Sequence, residues 1–546
     1  MPALPASRSL PLAGATAIAL LLAGCGGAAN AGPGDDAKPV EGGTIVYAHQ
    51  QEPACVFGGW IEQAYLSYNV LDNLTSLGED GVAVPWLAES WEESEDGLAW
   101  TFHLKPDVEF TDGTPVDAEA VAANVEFWLA GGNSTAVVWL EDAVAGAEAV
   151  GELDVELELR SPYPRLAETV SQGYFGIQSQ QALETRSEEE NCEQPIGSGA
   201  FTVGEWKRGE SIQLIRNDDY TSWPANAKHE GPAKVEGVDW RFVADPTTRV
   251  AALRSDEADA IYDVPAIEWA GLDSEAWELH RYVTAGRPQQ LSFNTQEGPF
   301  TDERVRQAFA YSLDRDAIVE TVGRGVIPVE GNGGVSRSTP GWSEDAANRY
   351  DYDPEQAAEL LDGAGWTLGA DGIREKDGEP LSVILPYGAG SIINTDGASI
   401  LQGVQQQAKE TGFDVELIPV PQSAFFGGAY SKPSERDINA GYWTAVTSGI
   451  LRINWKVGTQ EKPNFNNAAF SDDAELEAII AEADATSDIE EQNALYAQAQ
   501  ELIADKAYSI GLYDRLSTLA VSPFVKDVWQ EHAQGGPVFH DAYFVE

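Results

Sequence analysis

Pro85-Trp86-Leu87-Ala88-Glu89-Ser90-Trp91 opens a stretch that runs through Asp96-Gly97-Leu98-Ala99-Trp100-Thr101-Phe102-His103-Leu104-Lys105 to Phe110-Thr111-Asp112-Gly113-Thr114-Pro115. Trp100 to Leu104 alternates apolar with polar side chains, the period of a strand with one wet face. Asp112-Gly113 is a turn pair, because Gly accepts positive φ and Asp bonds its own backbone. Asp117 then stands where a helix cap belongs, ahead of Val121, Val125 and Trp128 on one helical face. Turn, strand, turn and capped helix within some thirty residues mark a chain that mixes α and β structure.

Outward from this stretch the same alternation continues. Strands are expected at Thr44 to Ala48, Val155 to Leu159, Ser211 to Ile215, Val238 to Val243, Leu291 to Asn294, Leu381 to Leu385, Val415 to Val420 and Ile438 to Trp443. Asp353-Pro354-Glu355-Gln356 places a capping Asp, a Pro at the first helical position and a Gln at the third, with Gly363 or Gly365 as the stop. Ser487-Asp488-Ile489-Glu490 reads as another capping box, and Thr301 as the cap of a helix carrying Val305, Phe309 and Ser312 inward. A chain of 546 residues exceeds one ordinary core, so at least two lobes are expected.

The N-terminus sets the compartment. Arg8, the apolar run Leu10 to Leu22 and the small residues before Cys25 describe a secretory signal over residues 1–24, too short for a membrane span. Leu22-Ala23-Gly24-Cys25 resembles the bacterial lipobox, which makes Cys25 the lipidated first residue of the mature chain and residues 25–42 a flexible tether. Of three cysteines, Cys55 and Cys192 remain, in a compartment where disulfides persist; their pairing is an expectation, with two separate buried thiols as the alternative. Asp and Glu number 89 against 33 Lys and Arg, a surface that repels nucleic acid and favours solubility; a field that speeds capture of cationic solutes is the sharper reading.

Two more blocks complete a pattern. Gly197-Ser198-Gly199-Ala200-Phe201 precedes Trp206 and Ile215-Arg216-Asn217-Asp218-Asp219-Tyr220, and Phe293-Asn294-Thr295 leads through Phe300 and Asp302 to Arg304-Val305-Arg306-Gln307-Ala308 and Leu313-Asp314-Arg315. With the opening stretch and Tyr496 to Ala520, these resemble the extracellular solute-binding proteins of family 5, the peptide and nickel class of ABC-importer binding lipoproteins. The resemblance implies a two-lobed periplasmic-binding-protein-like clamp, type II and class C with an extra subdomain, with mixed sheets. Lobe I would span residues 43–298 with the inserted subdomain at about 80–200, lobe II 299–507, and residues 508–546 would return to lobe I. The crossings would fall near Arg287 to Asn294 and Tyr508 to Tyr513.

It further implies a solute held between the lobes, a permease and ATPase as partners, a monomer and no enzymatic activity. The location is the outer face of the cell membrane or the periplasm. Candidate cleft residues are Tyr47 and His49 at the end of the first strand, Arg287, Asn294, Tyr387, Tyr442, Trp443 and Thr444. In peptide binders of the family an Asp that holds the ligand's ammonium group follows the segment matching Trp443; here Val446 occupies that place. A peptide-like solute leads, with a metal chelate, an opine or an oligosaccharide as alternatives. Six His without ligand spacing argue against a metal site built by the protein, and no cofactor is implied. A secreted hydrolase is the rival class, but neither a G-x-S-x-G elbow nor an H-E-x-x-H helix occurs; a sensory or adhesive lipoprotein is a third reading.

Overall fold

Alternating apolar side chains build two mixed sheets, one for each half of the molecule; the computed structural model describes residues 38–274, 277–458, 464 and 466–546. The first sheet has seven strands, in the order Glu278–Val283, Leu516–Val521, Ala260–Tyr262, Thr44–His49, Gly237–Phe242, Ser211–Arg216 and Phe201–Lys207. Thr44–His49 lies parallel to both of its neighbours, which requires crossover connections, and the other pairs are antiparallel. The second sheet has five strands, in the order Asp414–Pro421, Ser382–Ala389, Ile438–Thr444, Gly286–Phe293 and Ser509–Tyr513.

A four-stranded antiparallel sheet, Ala88–Glu93, Ala99–Leu104, Asp154–Leu159 and Val144–Ala149 in that order, forms a separate layer. The helix Ala118–Leu129 covers it with Val121, Val125 and Trp128, all buried, and Asp117 caps that helix by accepting from the Ala120 N–H at 2.9 Å. The opening stretch of the sequence is therefore the spine of this subdomain.

The chain changes sheet at Thr284-Ala285 and again at Asp514-Arg515, between Glu278–Val283 and Gly286–Phe293 and between Ser509–Tyr513 and Leu516–Val521. The crossings adjoin the two stretches named from sequence, two residues before Arg287 and directly after Tyr513. Residues 286–293 and 509–513 pair with each other inside the second sheet, so lobe II begins before residue 299 and extends past residue 507. The alternation of side chains marks a strand but not the sheet that receives it.

Other local expectations shift similarly. Asp302, not Thr301, caps its helix, accepting from the Arg304 N–H, because Thr301 closes a preceding turn Pro299–Thr301. Asp488 rather than Ser487 caps Ile489–Asp505. Pro39–Val40 pairs with Tyr543–Val545, so the folded body starts inside the stretch expected to be a tether. Cys25 and the signal lie outside the described residues. Cys55 and Cys192 stand with Cα atoms 4.9 Å apart, within the span of a disulfide. Among the described residues no helix is long and apolar enough to cross a membrane.

The lobes are shut against each other. Trp139 and Leu140 of the subdomain share one apolar cluster with Ile450, Leu451 and Tyr496 of lobe II. Arg452 Nη2 donates to the Trp139 carbonyl at 2.8 Å and Lys456 Nζ reaches Asp142 at 2.7 Å. Near the crossings Asn394 Nδ2 donates to Asp263 at 2.8 Å.

Candidate functional site

Between the lobes lies a cavity of about 400 Å³, in the size range of small-molecule sites. Its floor is the C-terminal end of Ile438–Thr444, from Asn439 to Thr444. Lobe I supplies the start of the helix Ile61–Val70, with Trp60 and Glu62, and Tyr174; the segment around Phe425 and Phe426 closes the far side. Trp60 stacks on Phe426 with ring centroids 4.4 Å apart and planes at 28°, an aromatic seam that joins the two lobes over the cavity.

Two cations line the space. Arg287 pairs with Trp443 at a point where the register between Gly286–Phe293 and Ile438–Thr444 slips, and such a bulge re-aims a side chain. Its Nη1 donates to Asn454 Oδ1 at 3.1 Å and its Nη2 to the Tyr442 carbonyl at 3.3 Å. Arg436 Nη1 donates to the Tyr430 carbonyl at 2.8 Å and Nη2 to that of Ala468 at 3.3 Å. Both are held by neutral oxygens, and among the described residues neither has a carboxylate at ion-pair distance. Burial, and for Arg287 the neighbouring Arg436 charge, push each guanidinium down to about 10.

One carboxyl group answers them from the opposite lobe. Glu62 lies in the first turn of its helix, 1 % exposed, and among the described residues neither of its oxygens has a partner in hydrogen-bond geometry. Burial raises it above the ordinary carboxyl range, against the pull of Ser391, Gln422 and Arg515. Arg515, in the return crossing, lies 5.2 Å from the centre of the Tyr442 ring, tying the cavity floor to the crossing.

Of the residues named from sequence, Arg287, Tyr442, Trp443 and Thr444 line the cavity. Tyr47 and His49 do not. They lie on the face of Thr44–His49 that packs under Trp240, Phe539 and Tyr262; both are fully buried, and the Tyr47 hydroxyl meets His49 Nδ1 at 2.8 Å. Burial, then Arg249 and Arg515, hold His49 well below its usual value. Tyr387 packs in the lobe II core beside Ala440. Asn294 is a support: its Nδ2 donates to the carbonyls of Pro433 and Arg436 at 2.7 and 2.9 Å, fixing the backbone that carries Arg436. Val446 belongs to a small apolar seam with Leu77 and Ala533 of lobe I.

Trp60, Glu62, Tyr174, Gln422, Phe425, Phe426 and Arg436 escaped the sequence reading. Only Asp437-Ile438, the start of a strand after a charged loop, hinted that Arg436 sits at a sheet entrance. Among the described residues one metal-like cluster lies elsewhere: His229 Nδ1 and His540 Nδ1 approach the same oxygen of Asp541 at 2.9 and 3.3 Å. Their rings stack 4.1 Å apart and 12° from parallel. A metal lies in the plane of each imidazole that binds it, and near-parallel stacked planes offer no common point. Both Nε2 atoms also meet backbone carbonyls, of Pro232 and Gly231, so the trio ties the C-terminal segment down.

Comparison with known proteins agrees with this architecture. The nickel-binding periplasmic protein of Escherichia coli is 28 % identical over 459 residues, covering 82 % of this chain and 83 % of that protein. The glutathione-binding protein GsiB of Salmonella paratyphi A is 25 % identical over 444 residues, covering 79 % and 80 %. The oligopeptide-binding protein AppA from Bacillus subtilis, solved in complex with a nonapeptide, superposes with a TM-score of 0.79 at 22 % identity over 93 % of this chain and 100 % of its own. The family model for bacterial extracellular solute-binding proteins, family 5 (middle), matches residues 82–474, which take in the subdomain, both cations of the cavity and its floor, and the chain belongs to that family.

Proposed function

We propose that this protein is the extracellular substrate-binding component of an ABC importer, closing two lobes on a small peptide or peptide-like solute and passing it to a permease driven by an ATPase. It works as a monomer, anchored outside the membrane through lipid on Cys25, and makes or breaks no bond in its cargo. The observation that carries this reading is a cavity walled by both lobes, with its polar groups converging from opposite sides. Closure about the crossings at 284–285 and 514–515 is hinge motion of a known kind. The peptide reading draws support from relatives that bind glutathione and oligopeptides.

A second reading, a metal chelate, is favoured by the nickel-binding relative. Among the described residues the lining contains no His or Cys, and Glu62 is its one carboxylate, so a metal would arrive inside its own organic ligand. Small-angle scattering of the mature chain, with and without a panel of di- and tripeptides and nickel chelates, tests the clamp. A cargo should shrink the radius of gyration and raise the melting temperature, since a ligand of the closed form alone stabilises it by mass action. No compaction with any member of the panel, or turnover of one, would end this reading.

A further inference from the structure

We propose that the solute is an amino dicarboxylate, a molecule with two acid groups and one amine and a net charge of −1, its acids held by Arg287 and Arg436 on lobe II and its amine by Glu62 on lobe I. This rests on the clamp reading and adds the charge pattern of the cargo. Three ionisable side chains with charged forms of opposite sign line one cavity of about 400 Å³. The guanidiniums spend their hydrogen bonds on neutral oxygens, and among the described residues both buried carboxyl oxygens of Glu62 stand outside hydrogen-bond geometry, with Ser391 and Gln422 as their neighbours. A buried cation, Arg436, near a half-buried one, Arg287, is costly when unanswered, and a guanidinium presents a planar fork matched to a carboxylate.

The split between lobes gives the charges an order of action. The acids bind lobe II while the clamp is open. The amine then reaches Glu62 only when lobe I swings in, so the third contact exists in the closed form alone and biases the equilibrium toward it. Among the described residues that line this cavity, Glu62 is the carboxyl available to an ammonium group. Trp60, Trp443 and Phe426 provide walls for the carbon skeleton between the charged ends.

Titration calorimetry and scattering on the mature chain with six probes test this. Iminodiacetate, glutamate and γ-glutamylglycine carry two acids and an amine; N-glutarylglycine lacks the amine; glycylglycine lacks one acid; lysylglycine carries an extra cation. At least one of the first three should bind and compact the protein, at least about tenfold more tightly than each of the last three. Glu62→Gln should erase the preference for γ-glutamylglycine over N-glutarylglycine while keeping the fold, judged by its melting temperature. Arg436→Lys keeps the charge but loses the fork, and should weaken dicarboxylates more than glycylglycine. If glycylglycine or lysylglycine compacts the protein and no dicarboxylate does, the clamp stands and this charge pattern is wrong. If none of the three amino dicarboxylates binds at millimolar concentration, the proposal is overturned; if no solute of this or the peptide and chelate panel compacts the protein, the clamp falls with it.

Discussion

Replacing Asp514 by Asn should stabilise the protein, and more so as the pH rises. Asp514 stands at the return crossing, 1 % exposed, and among the described residues neither of its carboxyl oxygens has a partner in hydrogen-bond geometry. The bridge between Val329 and Tyr513 brings Glu330 beside it. Glu330 is equally buried, accepting from the Gly331 and Arg337 N–H groups at 2.8 and 3.1 Å. Burial first, and the Glu330 carboxyl second, drive Asp514 far above the ordinary carboxyl value. The sign follows from linkage: between the unfolded value and the raised folded value only the folded chain holds this proton. The stabilisation is therefore complete in acid and is lost as the pH climbs through that window. Each such unit is worth ~1.4 kcal/mol, which over pH 5 to pH 8 bounds the loss at about 4 kcal/mol. Arg337, 3.6 Å from Glu330, offsets part of the repulsion, leaving about 1–3 kcal/mol expected. The Asp514→Asn change removes the ionisation at nearly constant shape. Melting curves of both proteins at pH 5, 6.5 and 8 should diverge by about 1–3 °C at the alkaline end. Parallel curves at all three values, or a variant that loses ground as the pH rises, would show that the folded chain does not hold the Asp514 proton over this range.

Two further outcomes are expected. Peptide mapping without reductant should recover Cys55 joined to Cys192, and Cys192→Ser should cost about 2–4 kcal/mol, since the bridge would close a loop across 137 positions; free thiols at both positions would refute it. Trp60→Ala and Phe426→Ala, singly and together, should show a coupling of about 0.5–1.5 kcal/mol in affinity for whichever panel solute compacts the protein, with little change in unliganded stability; additive losses would mean that the stacked rings contribute nothing to closure.

Much of the scaffold was legible because its signals are local. The strand at residues 99–104, the Asp112-Gly113 turn and the Asp117 cap depend on neighbours within a few positions. Asp353 and Asp117 cap by accepting from an N–H three residues on, a contact written into spacing. The site was legible only along one strand: Tyr442, Trp443 and Thr444 follow one another, and Arg287 pairs with that strand. Tyr47 and His49 misled because a strand end near a cleft presents two faces, and theirs lies under Trp240, Phe539 and Tyr262. Asn294 misled because a polar residue after a strand can serve the ligand or the loop beside it, and here it holds the carbonyls of Pro433 and Arg436.

The amino-acid order by itself determined the α/β class, the family likeness, the acidic surface and most element positions, since each follows from composition or from interactions within a turn or two of chain. Only the tertiary structure decided that Glu62, Arg287 and Arg436 share one cavity, and that the chain crosses between sheets at 284–285 and 514–515. Those facts depend on contacts between residues hundreds of positions apart, where the free energy of packing whole lobes, and not any local preference, selects which side chains meet.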